Sequence, residues 1–126
     1  MWDLIDSDDS GYRADLKRIS KTHPRDVEAL FERLSQLIVC LNSGMPLPLA
    51  LQRGWIHHKY KQGMKSIDNG GGKGKAKLRL YILPEQRYNA VVVLGIGEKV
   101  DESRAISRAY EVLDAFLRAM EQGGRT

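Results

Sequence analysis

Lys75-Ala76-Lys77-Leu78-Arg79-Leu80-Tyr81-Ile82-Leu83 is followed, after six residues, by Ala90-Val91-Val92-Val93-Leu94-Gly95-Ile96. In the first run Ala76, Leu78, Leu80 and Ile82 alternate with Lys75, Lys77, Arg79 and Tyr81. A period of two places the first set on one face of a strand and the second on the other. The second run is apolar throughout, as a central strand requires. Pro84 to Asn89 supplies the turn between them. The pair therefore predicts an antiparallel hairpin with one apolar face and one face bearing a row of cations and a tyrosine.

Trp2, Leu4 and Ile5 predict a short first strand. Asp8 or Ser10 can cap a helix carrying Leu16 and Ile19, and Pro24 suits the first turn of a second. There Val27, Leu30, Phe31, Leu34, Leu37, Ile38 and Leu41 recur at steps of three and four, until Asn42-Ser43-Gly44 ends the helix. Pro46 and Pro48 predict a connector without regular helix through 44–49. From Gly54 the pattern becomes extended, with a strand around Met64–Asp68 and a flexible glycine-rich hairpin loop over 69–75. Asp101 or Ser103 opens a last helix whose stripe is Ile106, Ala109, Tyr110, Leu113, Phe116, Leu117 and Met120. The expected class is α+β, a single domain over 1–126. It comprises a small antiparallel sheet of three or four strands, an N-terminal αα-hairpin and a C-terminal helix, with the helices on one face.

A chain of 126 residues, 42% apolar and 29% charged, is the size and balance of one globular domain. Its longest apolar run is far shorter than the roughly 20 residues of a membrane span. The Met1-Trp-Asp-Leu-Ile-Asp6 start lacks a basic then apolar leader, so cytoplasm is the expected compartment. Cys40 stands alone in an apolar run, which predicts a buried thiol. The net charge of +4 conceals a division. Residues 1–52 carry six Lys/Arg against eight Asp/Glu, 53–99 carry ten against three, and 100–126 carry four against five. The strongly basic middle is a footprint that attracts phosphate backbones, although a solvated charged face has the same composition.

Several residue types in that middle segment carry chemistry. Arg79 and Lys77 suit a phosphate, because a guanidinium fork grips two oxygens. Lys75 and Lys77, with Lys61 and Lys65 nearby, are the candidate nucleic-acid contacts, and Tyr81 can stack on a base or donate a proton. His57 or His58 can move a proton near neutral pH, and adjacent strand positions allow only one of them to join the row. Trp55 is either core or a stacking platform. The tract Asn69-Gly70-Gly71-Gly72-Lys73-Gly74 lacks the Lys-Ser/Thr step of a phosphate-binding P-loop. His23, His57 and His58 lack zinc-site spacing, so no metal and no cofactor is expected.

Arg79-Leu80-Tyr81, then Val91-Val92-Val93-Leu94-Gly95-Ile96-Gly97-Glu98-Lys99, then Glu102-Ser103 resembles the RelE/ParE toxin superfamily, including its HigB- and YafQ-like branches. Gly54-Trp55-Ile56-His57-His58-Lys59-Tyr60 is similar to the His-containing approach of the YafQ-like branch. The likeness spans Trp2 to Leu117 as an order of elements. It implies a toxin of a toxin–antitoxin pair that cleaves messenger RNA without metal, often on the ribosome, and is neutralised by a cognate antitoxin. ParE-like members poison DNA gyrase instead. By this resemblance Arg79 is the arginine near the scissile phosphate and Lys99 the basic residue after the last strand. Together with His57 and His58 they are the candidate catalytic set. The tail, residues 121–126, lacks the Tyr or His in which many active members end. That departure favours a non-catalytic nucleic-acid- or protein-binding module on the same fold.

Overall fold

The computed structural model describes residues 1–6, 10–71 and 76–123. Its elements run β1 (Asp3–Ile5), α1 (Ser10–Thr22), α2 (Pro24–Asn42), α3 (Leu47–Ala50), β2 (Ile56–His57), β3 (Lys65–Asp68), β4 (Leu78–Glu85), β5 (Ala90–Glu98) and α4 (Glu102–Gly123). The fold class is α+β, as the alternation and the two helical stripes predict. The hairpin between the two diagnostic runs is β4–β5, paired antiparallel from Leu78–Glu98 to Glu85–Ala90. β4 runs on through Pro84, where the sequence predicts the turn. β3 pairs only with Arg79–Ile82, so the missing N–H of Pro84 interrupts no ladder on that side. The turn itself is a 3-10 helix, Gln86–Tyr88, closed by Asn89 in the left-handed region, which asparagine tolerates.

Among the described residues the strands form one five-stranded sheet in the order β1-β5-β4-β3-β2. Two corrections to the expected sheet follow. It is mixed, because β1 pairs parallel with β5 after the whole helical segment has intervened. It also has five strands rather than three or four, since β1 and the two-residue β2 both pair. The prolines of the 44–49 connector do not prevent a one-turn helix at α3. Pro46 precedes that helix and Pro48 lies in its first turn, where no N–H donor is needed.

The largest departure concerns the last helix. Leu78, Leu80, Ile82, Val91, Val93 and Ile96 face the layer of α1 and α2, packing with Ile19, Leu30, Leu34 and Leu37. Tyr81, Leu83, Val92 and Leu94 point the other way and pack with Ala109 and Leu113 of α4. The expectation of all helices on one face is therefore wrong: α4 covers the opposite face. The cause lies in β5, whose apolar residues project on both sides and need cover on both. The close seat of α4 depends on Gly97, where an added Cβ would stand 2.5 Å from the Ala105 Cβ. Ion pairing ties the layers at the rim, with Arg108 Nη1 of α4 3.2 Å from Asp15 Oδ2 of α1. Cys40 is half-buried rather than buried, its Sγ 2.9 Å from Arg53 Nη2. No helix among the described residues is long and apolar enough to cross a membrane.

Candidate functional site

Strand β3 ends in Asp68-Asn69-Gly70, and these three residues organise one end of the sheet. Asn69 is buried. Its side-chain amide donates to the Ala76 carbonyl at 2.8 Å and to Asp26 Oδ1 of α2 at 3.2 Å, while its Oδ1 accepts from the Leu78 N–H at 3.0 Å. The base of the β3–β4 hairpin is thereby fixed to α2. Gly70 has φ +79°, and a Cβ there would sit 2.8 Å from Arg33 Nη2. Only glycine combines that backbone with that approach.

Asp68 accepts on both carboxylate oxygens. Oδ1 takes the Gly70 N–H and Arg33 Nη1, each at 2.7 Å, and Arg33 Nη1 also reaches the Asp68 carbonyl at 2.8 Å. Oδ2 lies 2.7 Å from His57 Nε2 and 3.3 Å from Arg79 Nη1. Arg79 Nη1 is also 3.0 Å from His57 Nε2. A guanidinium only donates, so a bond to Nε2 would need that nitrogen unprotonated, facing the carboxylate with its lone pair. The arrangement without repulsion has Nε2–H donating to Asp68 and Arg79 approaching the same oxygen, which leaves Nδ1 as the nitrogen that carries the lone pair whenever the ring is neutral. Burial works against ionisation of Asp68. The His57 bond, the Gly70 N–H, Arg33 and Arg79 together outweigh it and hold the carboxyl below its usual range. Arg33 in turn lies over the Trp55 ring, 5.5 Å from its centroid. Trp55 is thus half-buried packing for a cation.

Beside this network lies an open cavity of about 350 Å³ lined by Asp68, Asn69, Gly70, Gly71, Lys77, Leu78, Arg79 and Lys99. Three cations line it, Lys77 and Arg79 from the start of β4 and Lys99 from just past β5, and Lys77 and Lys99 are joined through their backbones, Lys99 N–H donating to the Lys77 carbonyl at 2.9 Å. Both lysines are exposed. The Arg79 side chain is 17% exposed, so its hydration is reduced and its charge acts in a lower effective dielectric. An anion with several oxygens is the natural occupant of such a wall.

The structure brings together Arg79, Lys77 and Lys99, with His57 adjoining Arg79 but not lining the cavity. It separates the other sequence-derived candidates. His58 is held elsewhere, its Nε2 donating to the Leu51 carbonyl at 3.1 Å. Lys65 shares its face of β3 with Ile67, the face toward α1 and α2, whereas Asp68 and Ser66 are on the other. Lys61 belongs to the loop at the opposite end of β3 and donates its backbone N–H to Tyr110 Oη at 2.7 Å. Tyr81 cannot stack on a base: it is 1% exposed beneath α4, edge-on to Tyr60. Burial pushes its hydroxyl further from ionisation, assisted by Tyr60 and Glu102. Lys75 and residues 72–74 of the glycine-rich tract lie outside the described residues. Asp68, Asn69 and Arg33 escaped the sequence reading. The Asp-Asn-Gly step was the visible signal for the first two, while Arg33 on the polar side of α2 carried none.

Among the described residues no group of three or more His, Cys, Asp or Glu comes together in a way that could hold a metal ion. No protein-family model, curated protein or solved structure matches the chain.

Proposed function

We propose that this chain is the toxin component of a toxin–antitoxin pair, a RelE-like endoribonuclease that grips messenger RNA by a phosphate at Lys77, Arg79 and Lys99. The observation that carries this reading is the convergence of those three cations on one cavity, with Arg79 joined to the His57–Asp68 pair. The order of elements behind the RelE/ParE likeness supports it as well. Cleavage without metal needs charge stabilisation at phosphorus and proton transfer at the 2′-hydroxyl and the leaving oxygen. Arg79 meets the charge developing on the phosphoryl oxygens, aided by Lys77 and Lys99. His57 lies on the same sheet face, 32% exposed, and takes the 2′-hydroxyl proton on Nδ1 as the 2′-oxygen attacks phosphorus. The P–O5′ bond breaks, the departing oxygen is protonated from Lys99, and a 2′,3′-cyclic phosphate remains.

A second reading rests on one observation. The cavity lining contains no imidazole, and its carboxylate, Asp68, is a weak base because its partners hold it ionised. A non-catalytic RNA-binding module needs nothing more than this wall. Inducing the wild type and Arg79→Ala in cells, and mapping RNA ends in each, separates the two. Growth arrest with new RNA ends in the wild type alone is the expected result. Arrest without new ends supports the binding module, and a gyrase-type poison would leave broken DNA instead.

A further inference from the structure

A second open cavity, about 450 Å³, lies on the far side of the Lys77–Lys99 pair and is lined by His23, Ala76, Lys77, Glu98, Lys99 and Val100. It differs in chemistry from its neighbour. The cation cavity carries a guanidinium and backbone glycines. This one is walled by Ala76, Val100, the aliphatic stems of two lysines and an imidazole, with one carboxylate. Val100 is 87% exposed, an aliphatic side chain left at the mouth of a pocket. His23 stands at the α1–α2 junction with Nε2 3.2 Å from Glu98 Oε1, so the ring is held by the carboxylate rather than buried. Arg18 Nη1 stands 3.7 Å from Glu98 Oε2, too far for a hydrogen bond, and each carboxylate oxygen retains acceptor capacity.

An open, largely apolar cavity with one carboxylate and an imidazole, sharing its lysine pair with a phosphate cavity, has the composition of a nucleobase site. We propose that this cavity takes the base of an RNA strand whose phosphate lies against Arg79, and that Glu98 selects bases presenting hydrogen donors, guanine before all. This rests on the RNA reading above. Guanine offers a ring N–H beside an exocyclic amine, two parallel donors for two carboxylate oxygens. Cytosine and adenine offer one amine, and uracil offers a single ring N–H flanked by two carbonyls that repel a carboxylate. His23 packs on the base face, and Val100 closes the apolar edge.

The test measures binding of uridine hexanucleotides carrying G, A, C or U at one internal position. The proteins are wild type, Glu98→Ala and the isosteric Glu98→Gln, each checked by thermal melting. The expected result is about tenfold tighter binding of the G oligonucleotide than of the U one by wild type, within the range of one bidentate base contact. Glu98→Ala should bring the four within about twofold by losing that contact, and Glu98→Gln should lose most of the preference with its fold intact. The U oligonucleotide should bind both variants at least as tightly as the wild type, because each removes a negative charge beside the phosphate cavity. Salt-dependent binding with no base preference in the wild type, or a preference that survives in Glu98→Gln, overturns the base site and leaves the phosphate cavity standing. Failure of every oligonucleotide to bind the wild type overturns the RNA reading and this inference with it.

Discussion

Arg79 and Tyr81 are two residues apart on the same face of the same strand, yet their surroundings differ completely. Tyr81 is sealed under α4 against Leu83, Val92 and Leu94. Arg79 lies past that cover, paired with Asp68 and lining an open cavity. The alternation of β4 decides which way a side chain points, whereas the placement of α4 decides whether that direction leads to solvent or to core. A row of polar residues at period two can thus be half site and half packing.

The covered region should fail most severely when charged. Val92→Asp forces a carboxylate into the layer between β5 and α4, at a cost of several kcal/mol, comparable to the stability of a small domain. Loss of a cooperative thermal transition is expected. A Val92→Asp melt like that of the wild type would show that α4 does not seal this face. Gly97→Ala probes the same seat more gently. With its Cβ placed 2.5 Å from that of Ala105, the helix must shift, and overpacking of this kind costs about 1–3 kcal/mol. Adding Ala105→Gly should recover part of the loss in urea denaturation, less the roughly 1 kcal/mol that glycine costs within a helix.

In the uncovered region the network makes stability depend on pH. The folded-state pKa of Asp68 is lowered, so its contribution is present above the unfolded carboxyl value of about 3.9 and is lost as pH falls through the folded value. Wild type should therefore exceed Asp68→Asn in urea midpoint near neutrality, with the gap closing below that range. A gap that persists in acid would mean that the carboxylate's charge is not what the Arg33, His57 and Arg79 contacts stabilise. The smallest structural effect is expected for exposed Lys77. Lys77→Ala should melt with the wild type while reducing the log–log salt slope of RNA binding by about 0.7, one phosphate contact on a single strand.

Much of this was legible in the residues and some was not. The stripe Val27, Leu30, Leu34, Leu37 and Leu41 lies buried along α2 as the periodicity required, and the β4–β5 hairpin stands where alternation met the apolar run. The position of α4 is also written in the sequence, in the two-sided apolarity of Val91 to Leu94, whereas the polar row on β4 points the other way, toward an open face. Arg79, Lys77 and Lys99 meet because a bulge between Tyr81 and Ile82 shifts the β4–β5 register by one and returns Lys99 beside Lys77, where the turn length alone would have placed Glu98. His57 and His58 were equivalent in sequence; tertiary contacts alone separate them, sending one to Asp68 and the other to the Leu51 carbonyl. Arg33 reaches Asp68 from 35 residues away, and no local pattern announces a contact of that kind.

The most direct test of the central claim is cleavage of a defined messenger RNA by purified wild type, Arg79→Ala and Arg79→Lys, with and without ribosomes, each protein first verified by its melt. Arg79→Ala should remain folded, because Asp68 keeps Arg33, His57 and the Gly70 N–H. Its cleavage rate should fall by about 10²–10³, the usual cost of removing one charge-stabilising donor. Arg79→Lys should recover only part of that rate, since a point charge lacks the two-pronged grip. Equal cleavage by all three proteins would contradict the account and move the site away from this cavity.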